Sequence, residues 1–422
     1  MRKKAQVLNL AVLLTLASYA DAETGSSRQP VRVENLELGS LTPRGTRRWI
    51  YNSDPSNTTR HLSDPAAHPD ELRQIVRNYA REAHIDTLVQ EIWQQCWTDF
   101  WRTDKCRYDT RPQHQRLVPI MDTGVMPIEI YIDECHRHGM EFIAGFRMND
   151  RHGNNVDFFE KLDKEHPEWI LREYKPTGGG KHDPRNRGLG CSLDYSQDGV
   201  RDWLFSIMEE VANRFDVDGI EFNFHRMPEC FPRDKAEQSH AMMTGFVRRV
   251  SAMLDEVSQK KDRKLMLGVR VLQDIKQNKR WGLDIPTWIK ERLIDYVAPG
   301  DWGFTDFNAK YEEFVRLGRA YDCYVYPQAE RRVNYPRWKK LREEQTPEQY
   351  RAVVRNFYGA GSDGFSTSNY FIPSSKERAA DPEAVGLLKV IRGLRDPKMV
   401  ATGDRHYAFF PFWGPGVRYL GG

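Results

Sequence analysis

The stretch Arg214-Phe-Asp-Val-Asp-Gly-Ile-Glu-Phe-Asn-Phe-His-Arg-Met-Pro228 decides the fold. A turn at Asp216, Asp218 and Gly219 feeds a short strand in which apolar Ile220, Phe222 and Phe224 alternate with polar Glu221, Asn223 and His225. Alternation with period two sets the two groups on opposite faces. The strand follows a long amphipathic helix over 198–215, in a chain that alternates strand and helix, and strands in such chains have both faces covered. The polar three therefore point into a barrel and not into water.

Outward from this strand the same reading continues. Strands are expected over 48–54, 86–93 and 140–150 before it, and over 264–272, 294–301, 323–330 and 363–370 after it. Helical spacing separates them over 70–83, from Pro127 to a stop at Gly139, and over 237–261, 284–292, 307–321, 346–359 and 382–394. Eight strands alternating with helices imply an α/β fold, a (β/α)8 TIM barrel with long βα loops. A doubly wound sheet is the alternative, but no Gly-x-Gly-x-x-Gly follows the first strand. No internal repeat is visible. The aromatic tail after Arg405 is expected to begin a short β-rich extension.

Arg2, Lys3 and Lys4, an apolar run from Val7 to Ala17 and Ala20-Asp21-Ala22 form a secretory signal pattern. The expected organisation is a signal peptide over 1–22, a linker over 23–45, the barrel over 46–400 and the extension over 401–422. This implies a secreted or periplasmic protein without membrane insertion. Cleavage after Ala22 removes three positive charges and one negative from a net charge of +3, leaving +1. Such a balance gives no electrostatic footprint for nucleic acid. The six cysteines contain no Cys-x-x-Cys pair, which argues against a structural zinc site. Bridges Cys96–Cys106 and Cys191–Cys230 are conceivable, with Cys135 and Cys323 as buried thiols.

Active sites of this fold lie at the C-terminal ends of the strands. Those ends gather Asn52 and Asp54, Glu91, Arg147 and Asp150, then Glu221, Asn223, His225 and Arg226, then Arg270 and Asp274. Asp301, Trp302, Tyr326, Gln328, Glu330 and Ser368 complete the set. Carboxylates, arginines and aromatics at one end are the equipment of a carbohydrate site. The sequence assigns catalysis to Glu221 with Asp301 or Glu330, and sugar binding to Arg147, Asp150, Asn223, His225, Arg226, Arg270, Trp302 and Tyr326. Trp93, Trp97 and Trp101 of the second loop, with the long third loop, are expected to form subsites. A structural glutamate paired with Arg147 or Arg270 is the competing reading of Glu221. No cofactor or metal is assigned; Asp150-x-His152 beside Asp54 is the nearest approach to a metal site. Arg147, Arg151, Arg226, Arg270, Arg331 and Arg332 could read an anionic glycan or satisfy inward carboxylates.

The chain resembles glycosyl-hydrolase-like family 10 and related secreted barrels. The likeness lies in Ile-Asp-Glu-Cys-His-Arg-His-Gly-Met-Glu-Phe-Ile over 132–143, in His166-Pro167-Glu168-Trp169-Ile170, and in Leu193-Asp194-Tyr195 with Val200-Arg201-Asp202. It continues through 214–220, Gly282-Leu283-Asp284, Trp288 and Ile294-Asp295. The resemblance implies an exported glycoside hydrolase acting on a poly- or oligosaccharide. Related barrels carry an Asp where this chain has Asn223, so a non-catalytic glycan-binding barrel is the first alternative. A uronic-acid lyase using His225 is the second.

Overall fold

The computed structural model describes residues 37–94, 96–150, 156–174, 192–225, 227–301, 305–334, 342–368 and 389–407. The expected signal peptide, the start of the linker, Arg226, Trp302, Cys191 and most of the expected extension lie outside the described residues.

Eight inner strands appear in the expected order: β1 (Trp49–Ser53), β2 (Thr87–Gln94), β3 (Glu141–Arg147), β4 (Gly219–Asn223), β5 (Met266–Leu272), β6 (Tyr296–Gly300), β7 and β8 (Phe365–Ser368). Strand β7 is split by Pro327 into Tyr324–Val325 and Gln328–Glu330. Every neighbouring pair is parallel. The first half of β7 pairs with β6, its second half with β8, and β8 with β1, which closes the barrel. Helices α1 (Pro69–Asn78), α2 (Pro127–Arg137), α3 (Asp198–Arg214), α4 (His240–Lys261), α5 (Ile285–Lys290), α6 (Glu312–Tyr321) and α7 (Pro347–Gly359) form the outer layer. Helix α2 starts on Pro127 and ends before Gly139, whose φ of +68° suits glycine. Of the expected last helix only 389–394 is described, helical over 389–393.

Four aspartates set the register at the N-terminal end. Asp86, Asp218, Asp295 and Asp363 stand one or two residues before β2, β4, β6 and β8. Each accepts a backbone N–H of the preceding odd-numbered strand or its approach: Trp49 at 2.9 Å, Phe142 at 2.7 Å, Leu267 at 2.8 Å and Val325 at 3.0 Å. A carboxylate bonded to a backbone N–H is a strong, directional tie. Gly219 follows Asp218 because a side chain there would strike the Met266 carbonyl, 2.2 Å from the position of its Cβ.

The interior is layered. At the N-terminal end Arg47 holds Glu141 at 2.7 Å and touches Met266. Above them Ile50, Val89, Ile143, Tyr296 and Tyr326 form an apolar plug. Tyr326 is thereby corrected as a sugar-binding residue. It lies in the lower half of the barrel, with its ring stacked on Tyr324 and facing Arg47, because it precedes the Pro327 break.

Cys106, Cys135, Cys230 and Cys323 are buried free thiols, and Cys96 is buried as well. The Cys96–Cys106 bridge is not formed: the Cys106 thiol donates to the Cys96 carbonyl at 2.8 Å. Burial pushes Cys106 up to about 12 and holds Cys135, Cys230 and Cys323 above the ordinary thiol range. Thiolate is the reacting form. In a Cys191→Ser variant, Ellman's reagent is therefore expected to find less than one reactive thiol per native chain and five after denaturation. Rapid native labelling of any of the five would contradict this burial.

Candidate active site

Above the apolar plug lies a charged layer centred on Glu221. Its register neighbours on β3 and β5 are Gly145 and Gly268. The Tyr296 ring occupies the place of a Gly268 side chain, 2.0 Å from where that Cβ would be, and its hydroxyl donates to Glu221 at 2.9 Å. Arg270 adds Nε at 3.0 Å and Nη2 at 3.3 Å, and Asn52 adds its amide at 3.2 Å. Arg270 also binds Gln328 and the Ser366 hydroxyl. Glu221 and Arg270 are both 0 % exposed. Four donor contacts hold one carboxylate inside the barrel. Arg270 is thus its ion-pair partner; Asn52 and Gln328, which the strand-end reading gathered without a role, belong to this layer, as does Tyr296, which that reading did not include.

The C-terminal mouth has two sides. On the side of β1 to β3, Arg147 reaches Asp54 at 2.5 Å, Asp150 at 2.9 Å and Gln94 at 2.7 Å, and pairs with Glu91 through Nε. Burial alone would lower this guanidinium's pKa. The three carboxylates outweigh burial and hold it above its ordinary value. Asp54 also caps the helix Pro55–Thr59 through the Ser56 N–H. Asn223 donates to Glu91 at 2.6 Å and accepts the His225 N–H at 3.0 Å, so both ends of its amide are used. An aspartate there would set a carboxylate against Glu91. The amide is what this position's chemistry requires.

On the other side, Glu330 closes β7. It accepts the Ser368 hydroxyl at 2.7 Å and the Gln328 amide. The same amide nitrogen lies 3.2 Å from Nδ1 of His225; an amide nitrogen only donates, so Nδ1 accepts. Asp301 follows β6 directly. Gly300 beside it packs on Gln328, whose Cβ is 2.6 Å from a Cβ built there. The ends of β6 and β7 therefore bring Asp301 and Glu330 to adjacent strand ends, both largely buried.

The tryptophans are a correction. Trp93, Trp97 and Trp101 are at most 1 % exposed. Trp93 stacks on Phe146, Trp101 meets Phe215 edge-on, and Arg111 lies over Trp97. The second loop folds back as a short strand, Trp97–Thr98, antiparallel to the end of β2, and packs these rings as core. They form no sugar platform. Of the long third loop, residues 151–155 and 175–191 lie outside the described residues, as does His152. Arg331 is paired with Glu344.

A closed parallel barrel with carboxylates and arginines gathered at the C-terminal ends of its strands is a (β/α)8 protein whose candidate site lies where that fold carries one. The chain belongs to the glycosyl hydrolase-like 10 family, whose profile matches residues 49–315, most of the barrel. It is 21% identical over 238 residues to "Glycosyl hydrolase DigH" of Escherichia coli (strain K12), and equally to that of Shigella flexneri. The match covers 46% of this chain and 50% of the relative, so the chain spans about half the length of the curated relatives it matches. Among solved structures it is similar to an alpha-amylase from Geobacillus thermoleovorans complexed with acarbose. That likeness has 15% identity and a TM-score of 0.47, covering 84% of this chain and 78% of that one. It is also similar to an alpha-L-fucosidase isoenzyme 2 from Paenibacillus thiaminolyticus, with 12% identity and a TM-score of 0.46, covering 82% and 49%.

Proposed function

We propose that this protein is an exported glycoside hydrolase whose chemistry runs between Asp301 and Glu330 at the barrel mouth, with Glu221 as the charged support beneath them. The observation that carries this reading is the interior's polarity. The N-terminal half is plugged by apolar and tyrosine side chains, and the carboxylates above Glu221 are ends of strands or the residues just after them. Family membership supports a glycan as the substrate class. Glycosidic hydrolysis needs one carboxyl to protonate the leaving oxygen and a second to attack or to activate water. Arg147, Asp150, Asn223 and His225 then position the sugar from the opposite rim.

The sugar is a neutral one on this reading. In the C-terminal half of the barrel, among the described residues, six carboxylates (Asp54, Glu91, Asp150, Glu221, Asp301 and Glu330) face two guanidiniums, Arg147 and Arg270. Both guanidiniums are already bound to carboxylates. A polyanion would meet net repulsion there. Export is supported by the charged, apolar and small-residue pattern of 2–22.

The test is a reducing-end assay over neutral, uronic-acid and sulfated glycans, with binding measured in parallel. Release of reducing ends from a neutral glycan is the expected result. Binding without turnover would leave a carbohydrate-binding barrel. A product absorbing in the near ultraviolet would replace hydrolysis by lyase chemistry.

A further inference from the structure

The second loop holds a set of buried ligating groups that the barrel chemistry does not use. The short strands Trp97–Thr98 and Arg107–Tyr108 pair in parallel, with Thr98 opposite Tyr108. The next residues in register, Asp99 and Asp109, therefore come side by side. His114, from the short helix Pro112–Gln115, completes the group. All three are 0 % exposed, and one ligating atom from each lies within 4.8 Å of the others.

Two of these atoms are unsatisfied. Nδ1 of His114 and Oδ2 of Asp99 are buried without a hydrogen-bond partner, although Nδ1 stands 3.2 Å from Oδ1 of Asp99. An orphaned buried polar atom is costly, and native structures rarely leave one without a ligand, ion or water. The other contacts are outer ones. The backbone N–H of Arg111 donates to Oδ1 of Asp109 at 2.8 Å, and its Nε to Oδ2 at 2.7 Å, while Nη2 is 2.5 Å from Oδ2 and 3.5 Å from Oδ1 of Asp99. Gln94 donates to Oδ1 of Asp99 at 3.2 Å. Nε2 of His114 lies 3.5 Å from the Thr59 hydroxyl and from Oδ2 of Asp109. Two carboxylates face one guanidinium in this buried group.

We propose that Asp99, Asp109 and His114 bind one divalent transition-metal ion of the zinc type. An imidazole nitrogen with two carboxylate oxygens suits such an ion better than calcium or magnesium, which take oxygen sets. Arg111 and Gln94 are the outer partners that orient the ligating carboxylates. With all three ligands buried, the ion is structural. It fixes the second loop to the mouth, because Gln94 also accepts from Arg147 at 2.7 Å. This inference does not rest on the hydrolase reading.

The test uses the full chain, stripped with a chelator and desalted, then titrated calorimetrically with zinc alone and with cobalt alone. One ion per chain is expected, with a rise in Tm on zinc addition. Asp99→Asn and His114→Gln are each expected to weaken zinc at least about 100-fold, the upper end of what an outer-shell partner is worth. Circular dichroism confirms that each variant is folded. Zinc-edge X-ray absorption on the wild-type protein needs no variant. It is expected to show one imidazole with oxygen ligands at about 2.0–2.2 Å and no sulfur. Absence of one-to-one binding, unchanged affinity in both variants, or sulfur or multiple imidazoles around zinc would each overturn the assignment.

Discussion

Glu221→Gln is expected to destabilise the protein by about 3–5 kcal/mol, the usual cost of leaving one partner of a buried ion pair uncompensated. The amide keeps the shape of the carboxylate and removes its charge. Arg270, itself 0 % exposed, would then face a neutral amide in place of the carboxylate, beside Gln328 and Ser366. Unfolding entropy of about 2.1 cal/mol/K per residue makes 1 kcal/mol worth little more than about 1 °C in a chain of this size. The expected fall in Tm is therefore about 5 °C, read by calorimetry. Adding Arg270→Met should recover much of it, since a neutral pair of similar volume is often as stable as a buried ion pair. A double-mutant cycle isolates that coupling. If Glu221→Gln leaves Tm within 1 °C and abolishes turnover, Glu221 belongs to the chemistry and the support role is wrong.

The barrel was legible because two periodicities alternate along the chain, and each strand run ends where a turn or a helix cap begins. The clamp residues Asp86, Asp218, Asp295 and Asp363 stand in the sequence just ahead of strands, although no repeat in the ordinary sense relates them. The height of a residue inside the barrel was less legible. β4 spans only Gly219–Asn223, so Glu221 falls in its middle and not at its end. Tyr326 appeared to be at the top because β7 reads as one run; Pro327 divides it. The tryptophans and the Asp99–Asp109–His114 group depend on how a loop folds back on β2. Two-residue strands such as Trp97–Thr98 and Arg107–Tyr108 carry no periodicity by which to foresee that pairing. Asn223 shows the reverse case. Its amide looked like a lost catalytic carboxylate, and only the facing Glu91 explains why it is an amide.

Glu330→Gln and Asp301→Asn are each expected to lower turnover of the glycan substrate by about 10²–10⁴-fold, the range a positioned general acid or base contributes. Binding should stay within about threefold and Tm within about 2 °C. The contrast with Glu221 comes from position. Glu330 accepts from the Ser368 hydroxyl and the Gln328 amide, and a glutamine can still accept from both. Because these two bonds survive the substitution, the expected loss falls on the reaction more than on the fold. Asp301 follows Gly300, which packs against Gln328 two residues before Glu330, so the two residues stand at adjacent strand ends. Product anomer, read by NMR in the first turnovers, then reports their working separation. Retention corresponds to about 5–5.5 Å and inversion to about 6.5–9.5 Å. Full turnover in both variants, with loss instead in Asp54→Asn or Glu91→Gln, would move the chemistry to the Arg147 side of the mouth.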